Sequence, residues 1–343
     1  MKSFFIFSAA YFAAGLIFAL MFLDNSMRGI FALVDASTVM LSVAKYFLIG
    51  IVVGVAIIFF IVGRRELQRR IVLVGYAVVA TILLQAGFTL LKNTMPYIHA
   101  YFADPFWAYW DRMVHFGQDP WVIMHWLGRF LPVDYLIHLY LAVWALPAIG
   151  LPIIIAASDG NHARGMRAIV LYVVAWVFLG NILALAGLSV GPVYYDRLTG
   201  DTRFSDLTQA LLASGVTESP IGRIQEVLWK IYIGQRVGMG SGISAFPSVH
   251  VAVATVTAIY MIERSKWLII PAVLFLFFTF FLSVYTGYHY AIDGYASILI
   301  VFTVWLVLRV VSRKWWKLIL DTSGRVEFCA GQAAWSRVSS AMG

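Results

Sequence analysis

Apolar runs recur along the chain, separated by short polar or basic stretches. The runs at 3–23, 43–63, 71–91, 135–157, 168–188, 249–262, 267–286 and 290–311 predict about eight membrane-spanning helices. A span needs roughly 20 apolar residues. Lipid offers the backbone no hydrogen-bond partners, so each span must be helical. The run at 249–262 is short, so its helix either begins earlier, in the preceding Ser-Pro loop, or lies buried among its neighbours. The first run, Phe4 to Leu23 after Lys2, reads as a retained span. It is long for a signal core, and no small-x-small site precedes Asp24-Asn25.

Basic residues give these spans an orientation. Lys2, Arg64, Arg65, Arg69, Arg70, Arg164, Arg167, Arg264, Lys266, Arg313, Lys314 and Lys317 all fall on one side when eight spans alternate. By the positive-inside rule that side is cytoplasmic, with both termini. The opposite side receives two long segments, about 92–134 and 189–248, and the turn at 285–290. The first is rich in aromatics, including Tyr101, Phe102, Trp107, Trp110, Trp121 and Trp126. Such rings favour headgroup level, which predicts amphipathic helices in the outer interface, serving as anchors or as a lipid lid.

Composition narrows the class. Of 343 residues, 62% are hydrophobic and 12% charged, and the mean hydropathy is +0.85. Soluble domains carry about twice that charge. The fold class expected is all-α integral membrane, a multi-span helical bundle with interfacial helices outside. Three stretches organise it: 1–134, spans and the aromatic segment; 135–317, a catalytic core; and 318–343, a cytoplasmic tail. The net charge of +8 belongs to span ends and does not point to nucleic acid. A single cysteine, Cys329, rules out an internal disulfide and a Cys-based zinc site. The 17 carboxylates form no outer cluster that reads as a magnesium site, and His99, His115, His125 and His138 are scattered. No metal and no cofactor is expected.

Chemistry concentrates near the end of the chain. Ala245-Phe246-Pro247-Ser248-Val249-His250 and Ser283-Val284-Tyr285-Thr286-Gly287-Tyr288-His289-Tyr290-Ala291-Ile292-Asp293 flank a hydrophobic hairpin that turns at Glu263-Arg264-Ser265-Lys266. Both histidines therefore reach the same surface. The i, i+4 spacing of His289 and Asp293 predicts one helix face. A carboxylate there fixes the imidazole tautomer and frees the other nitrogen to attack. His250 follows Pro247-Ser248 at a predicted helix start, where cap and free N–H groups make a phosphate cradle. It is placed to protonate a leaving oxygen and then deprotonate an acceptor.

The two signatures resemble the type 2 phosphatidic acid phosphatase superfamily. Its second motif ends Pro-Ser-x-His, and its third has a histidine followed by x-x-x-Asp. With Gly191-Pro192-Val193-Tyr194-Tyr195-Asp196-Arg197, the stretch Ser244 to His250 is similar to the inositol phosphorylceramide synthase branch. The similarity covers roughly 190–297. It implies that His289 is a nucleophile forming a phosphohistidine, that Asp293 orients it, and that His250 is general acid and then base. Ser248 and nearby N–H groups would hold phosphate oxygens.

The chain departs from the phosphatases in three places. Ser283 stands where they have an arginine, Val249 where glycine is frequent, and their Lys-x6-Arg-Pro motif is absent. Losing that cationic clamp favours a transferase. Replacement cations are sought among Arg197, Arg223, Lys230 and Arg236. Arg236 lies in the glycine-rich stretch 234–242, whose backbone permits close approach to a ligand. Ser248, Arg197, Arg236, Tyr194 and Gly242 are the candidate substrate-binding positions.

The function expected is a membrane phosphotransferase moving a phosphorylated headgroup from a phospholipid donor to a lipid or alcohol acceptor. The location expected is a bacterial inner membrane, with the site on the periplasmic side. The alternatives are a lipid phosphate phosphatase using water, and a transporter with a His/Asp proton relay. Oligomeric state is not legible.

Overall fold

The structure is a computed structural model, and it describes residues 1–22, 64–234 and 242–311. The run expected at 43–63, Arg236 and the tail from 318 lie outside the described residues. The described chain is all helical. Its elements are α1 (Lys2–Phe22), α2 (Arg64–Ile98), α3 (Asp104–Val114), α4 (Pro120–Gly128), α5 (Val133–Ser158) and α6 (His162–Ala186). Then follow α7 (Pro192–Thr199), α8 (Ser205–Ala213), α9 (Pro220–Ile233), α10 (Val249–Arg264), α11 (Ile269–Tyr285) and α12 (Ala291–Val311). Among the described residues six helices are long and apolar enough to cross a membrane: α1, α2, α5, α6, α11 with its preceding turn, and α12.

Chain contacts define two units, Met1–Val301 and Phe302–Gly343. The described part of the second is the last stretch of α12, where Phe302 and Trp305 lie 5.2 Å apart and Arg309 sits over Trp305.

The short run at 249–262 resolves as α10, which begins at Val249 rather than in the preceding loop. Almost every residue from Val249 to Tyr260 is buried. A helix apolar all round belongs at the centre of a bundle, so 16 residues suffice where a lipid-facing span needs more. Ser248 caps it, its Oγ accepting from the Val251 N–H at 3.3 Å.

The other end of α10 carries the basic face. Arg164 and Arg264 converge on Asp159 at 2.6 and 3.2 Å, and Arg167 reaches Glu263 at 2.9 Å. Arg70 donates to the Asp159 carbonyl at 2.8 Å. This network ties α2, α5, α6 and α10 together, about 24 Å along α10 from Ser248 by helix rise.

The aromatic segment supplies the end of α2 plus α3 and α4, two short helices. They do more than anchor rings. Asp104 and Asp111, both on α3, are buried and accept hydrogen bonds from the site loops. Within α6, residues Val174–Leu183 are wound as a π-helix, a form frequent at functional sites. The Tyr11 hydroxyl of α1 donates to Asn181 in this stretch.

Candidate active site

His289 lies in the turn between α11 and α12, two residues before α12 begins. It and Asp293 are therefore not stacked on one helix face, as their spacing predicts. The third residue of α12 reaches back instead: Asp293 Oδ2 accepts from the Tyr290 N–H at 2.9 Å, as a capping-box residue does. That folds the carboxylate under the imidazole, with Oδ2 3.4 Å from His289 Nδ1. The nearer partner of Nδ1 is the Ala245 carbonyl, at 2.8 Å. Carbonyl and carboxylate both call for a proton on Nδ1, which leaves the Nε2 lone pair free. Asp293 Oδ1 is buried without a hydrogen-bond partner among the described residues.

Burial holds the His289 imidazole down to about 3, against the Ala245 hydrogen bond, and the Lys92 charge adds to the fall. At neutral pH the ring is a neutral nucleophile. His250 completes the pair, its Nδ1 3.3 Å from His289 Nε2. Its ring packs 4.4 Å from that of Trp144, whose Nε1–H donates to the His250 carbonyl at 3.1 Å.

Both histidines line a cavity of about 320 Å³, within the range of small-ligand sites. The cavity has two characters. Its lining is of two kinds: His250, His289, Lys92, Ser244 and Tyr288 bring polar groups, and Ile82, Ala86, Phe88, Trp144, Ile149 and Trp176 bring apolar surface. A phosphate ester with a hydrocarbon tail has the same division.

The candidate binding residues separate. Tyr194 and Gly242 line the cavity; the Tyr194 hydroxyl donates to the Gln225 carbonyl at 2.8 Å. Ser248 does not: it is fully buried and its hydroxyl serves the α10 cap. Arg197 is turned outward into an exposed pair with Glu226 at 2.8 Å, which Lys230 also approaches. Arg223 donates to the Glu218 carbonyl at an exposed position. Asp196 binds locally, accepting from the Phe204 N–H. Ser283, at the place of the missing arginine, donates to the Phe280 carbonyl at 2.8 Å.

Three residues escaped sequence reasoning. Asp104 accepts from the Val190 and Gly191 N–H groups at 2.8 and 2.9 Å and from the Tyr290 hydroxyl at 3.0 Å. Burial raises its carboxyl, while those three donors oppose the rise. Asp111 accepts from the Ile292 N–H at 2.9 Å. Burial pushes its carboxyl up to about 7, against the Ile292 bond, and the Asp293 charge adds to the rise. Lys92, on α2, lines the cavity. The available signal was a carboxylate or ammonium inside an apolar, aromatic stretch, where an ionisable group needs a reason. Gly191 links the two loops. Its φ is +87°, and a Cβ there would stand 2.4 Å from the Tyr288 carbonyl oxygen.

Among the described residues no group of His, Cys, Asp and Glu is arranged to hold a metal ion. Comparison with curated proteins and with solved structures found no match. A family model described as the PAP2 superfamily matches residues 107–307, which include the end of α3 from Trp107, both histidines and Asp293. The chain belongs to the PAP2 superfamily, membrane helical proteins of phosphate-ester chemistry.

Proposed function

We propose that the chain is a lipid headgroup phosphotransferase working through a phosphohistidine on His289. One observation carries this reading: a neutral imidazole, anchored at Nδ1, lines an amphiphilic cavity with its unprotonated Nε2 3.3 Å from Nδ1 of a second histidine. The donor is a phospholipid, and the acceptor a lipid or alcohol hydroxyl.

In the first half, His289 Nε2 forms a bond to phosphorus as the bond to the leaving alkoxide breaks. His250 gives that oxygen a proton. The imidazole becomes cationic, and the uncommitted Oδ1 of Asp293 favours that charge. In the second half the acceptor hydroxyl loses its proton to His250, its oxygen bonds phosphorus, and the N–P bond breaks. Water as acceptor converts the same site into a phosphatase. The preference for transfer rests on the missing arginine clamp, with Ser283 turned to its own helix. The ionisable groups meet at one end of α10, a reaction centre rather than a proton path through the bundle. The basic residues at the opposite end of α10 support an outer, periplasmic site, and a cysteine placed at position 287 is then expected to react with impermeant reagents.

The test is a trap of the intermediate. Purified protein is incubated with headgroup-labelled phospholipids, quenched at alkaline pH and mapped by mass spectrometry. Label on His289, absent from His289→Ala, is expected, and product analysis with added ceramide, diacylglycerol or water identifies the acceptor. Turnover that persists in His289→Ala overturns the assignment.

A further inference from the structure

We propose that Lys92 is the cation that binds the substrate's phosphate, delivered from α2, outside the region that defines the family. The inference rests on the reading of the histidine cavity as a phosphoryl-transfer site.

Lys92 lies in the last two turns of the apolar span Arg70–Ile98 and lines the cavity, a place where an ionisable group needs a reason. It shares a helix face with Phe88, one turn earlier, and its Nζ stands 5.3 Å from that ring. This face is turned to the cavity, which Phe88, Thr89 and Lys92 line together with both histidines. Among the described residues no carboxylate pairs with it. A partly buried cation without a counter-ion, on a cavity that also holds the histidine pair, asks for an anion.

The surroundings are built to keep it there. A Cβ at Gly242 would stand 2.5 Å from Lys92 Cγ and 2.7 Å from its backbone carbonyl oxygen. Only glycine lets the 242–246 strand of chain lie against the lysine stem while Ala245 bonds His289. One short segment thus registers the cation against the nucleophile. The other described candidates are elsewhere: Arg197 and Lys230 face Glu226 outside, and Ser283 replaces the arginine six residues before His289. Phosphoryl transfer gains most from fixed positive charge at the non-bridging oxygens, so a chain that lacks the usual arginines requires a cation from another element.

The full chain in detergent micelles is tested with orthovanadate, which adopts the five-coordinate geometry of phosphoryl transfer. Bound vanadate raises the thermal unfolding midpoint. Lys92→Met is expected to need roughly 10- to 100-fold more vanadate for the same rise, the worth of a charge-assisted hydrogen bond. Lys92→Arg, which keeps the charge, is expected to retain most of the response. A vanadate response unchanged in Lys92→Met overturns the assignment of Lys92 alone. No response in the wild-type chain overturns the phosphate reading of the whole cavity. Should Lys92→Met not fold, reductive methylation of the wild-type chain decides. Vanadate is expected to protect Lys92 and not the exposed Lys230, and equal modification of Lys92 with and without vanadate overturns the proposal.

Discussion

Asp104 and Tyr290 are 186 positions apart in the chain, yet the tyrosine hydroxyl donates to the carboxylate at 3.0 Å. The same carboxylate holds the N–H groups that open α7. One side chain of the aromatic segment therefore fixes the Gly191-Pro192 turn and the loop that carries His289.

Removing that brace should unfasten the site. Asp104→Ala leaves three buried donors without an acceptor, at a cost of roughly 1–3 kcal/mol each. Its thermal unfolding midpoint should fall well below that of Tyr290→Phe, which removes a single bond. An Asp104→Ala midpoint no lower than that of Tyr290→Phe contradicts the bracing role.

Asp111 makes stability depend on pH. Its carboxyl rises from 3.8 in the unfolded chain to about 7 in the folded one. The folded state thus holds its proton more tightly. The stabilisation is fully present below about pH 4 and lost as pH rises through about 7. Unfolding followed from pH 5 to 8 should show a midpoint that falls with rising pH. Asp111→Asn, which cannot ionise, should flatten that slope; an equal slope in the variant removes Asp111 as its source.

His250 is assigned to protonating the leaving oxygen, so its importance should track the leaving group. With alkyl phosphate esters, His250→Ala should slow turnover roughly 10²- to 10⁴-fold. With a p-nitrophenyl ester, whose phenolate departs unassisted, the loss in the intermediate-forming step should be far smaller. Equal losses on both substrates, measured by burst kinetics, would sink the acid role.

Gly191 is constrained twice, by its positive φ and by the Tyr288 carbonyl oxygen beside it. Gly191→Ala should force α7 and the His289 loop apart, lowering both the midpoint and kcat. A variant with wild-type kcat would show that the two loops need not be in register.

Much of this protein is written locally. Spans follow from runs of apolar side chains, and the start of α10 from Pro247-Ser248. Hydropathy and capping act within a turn or a bilayer width, so a single sequence exposes them. The histidine pair was legible for the same reason, since a hairpin of two helices returns the chain to its starting surface. The i, i+4 argument for His289 and Asp293 reached the right partners by the wrong geometry, because the helix starts after the histidine.

What the sequence could not give was contact between distant elements. The resemblance points to Ser248 as a phosphate ligand, and a place on the outer side points to Arg197, but one caps α10 and the other pairs with Glu226. Lys92, Asp104 and Asp111 lie roughly 180 to 200 positions before His289, and all three fall in the stretch 92–134, which reads as an outer interfacial segment. Only the packing of α2 and α3 against the loops around α10 and α12 turns them toward the site. A side chain's neighbours across a bundle are set by the sum of all helix packings, which no local pattern encodes.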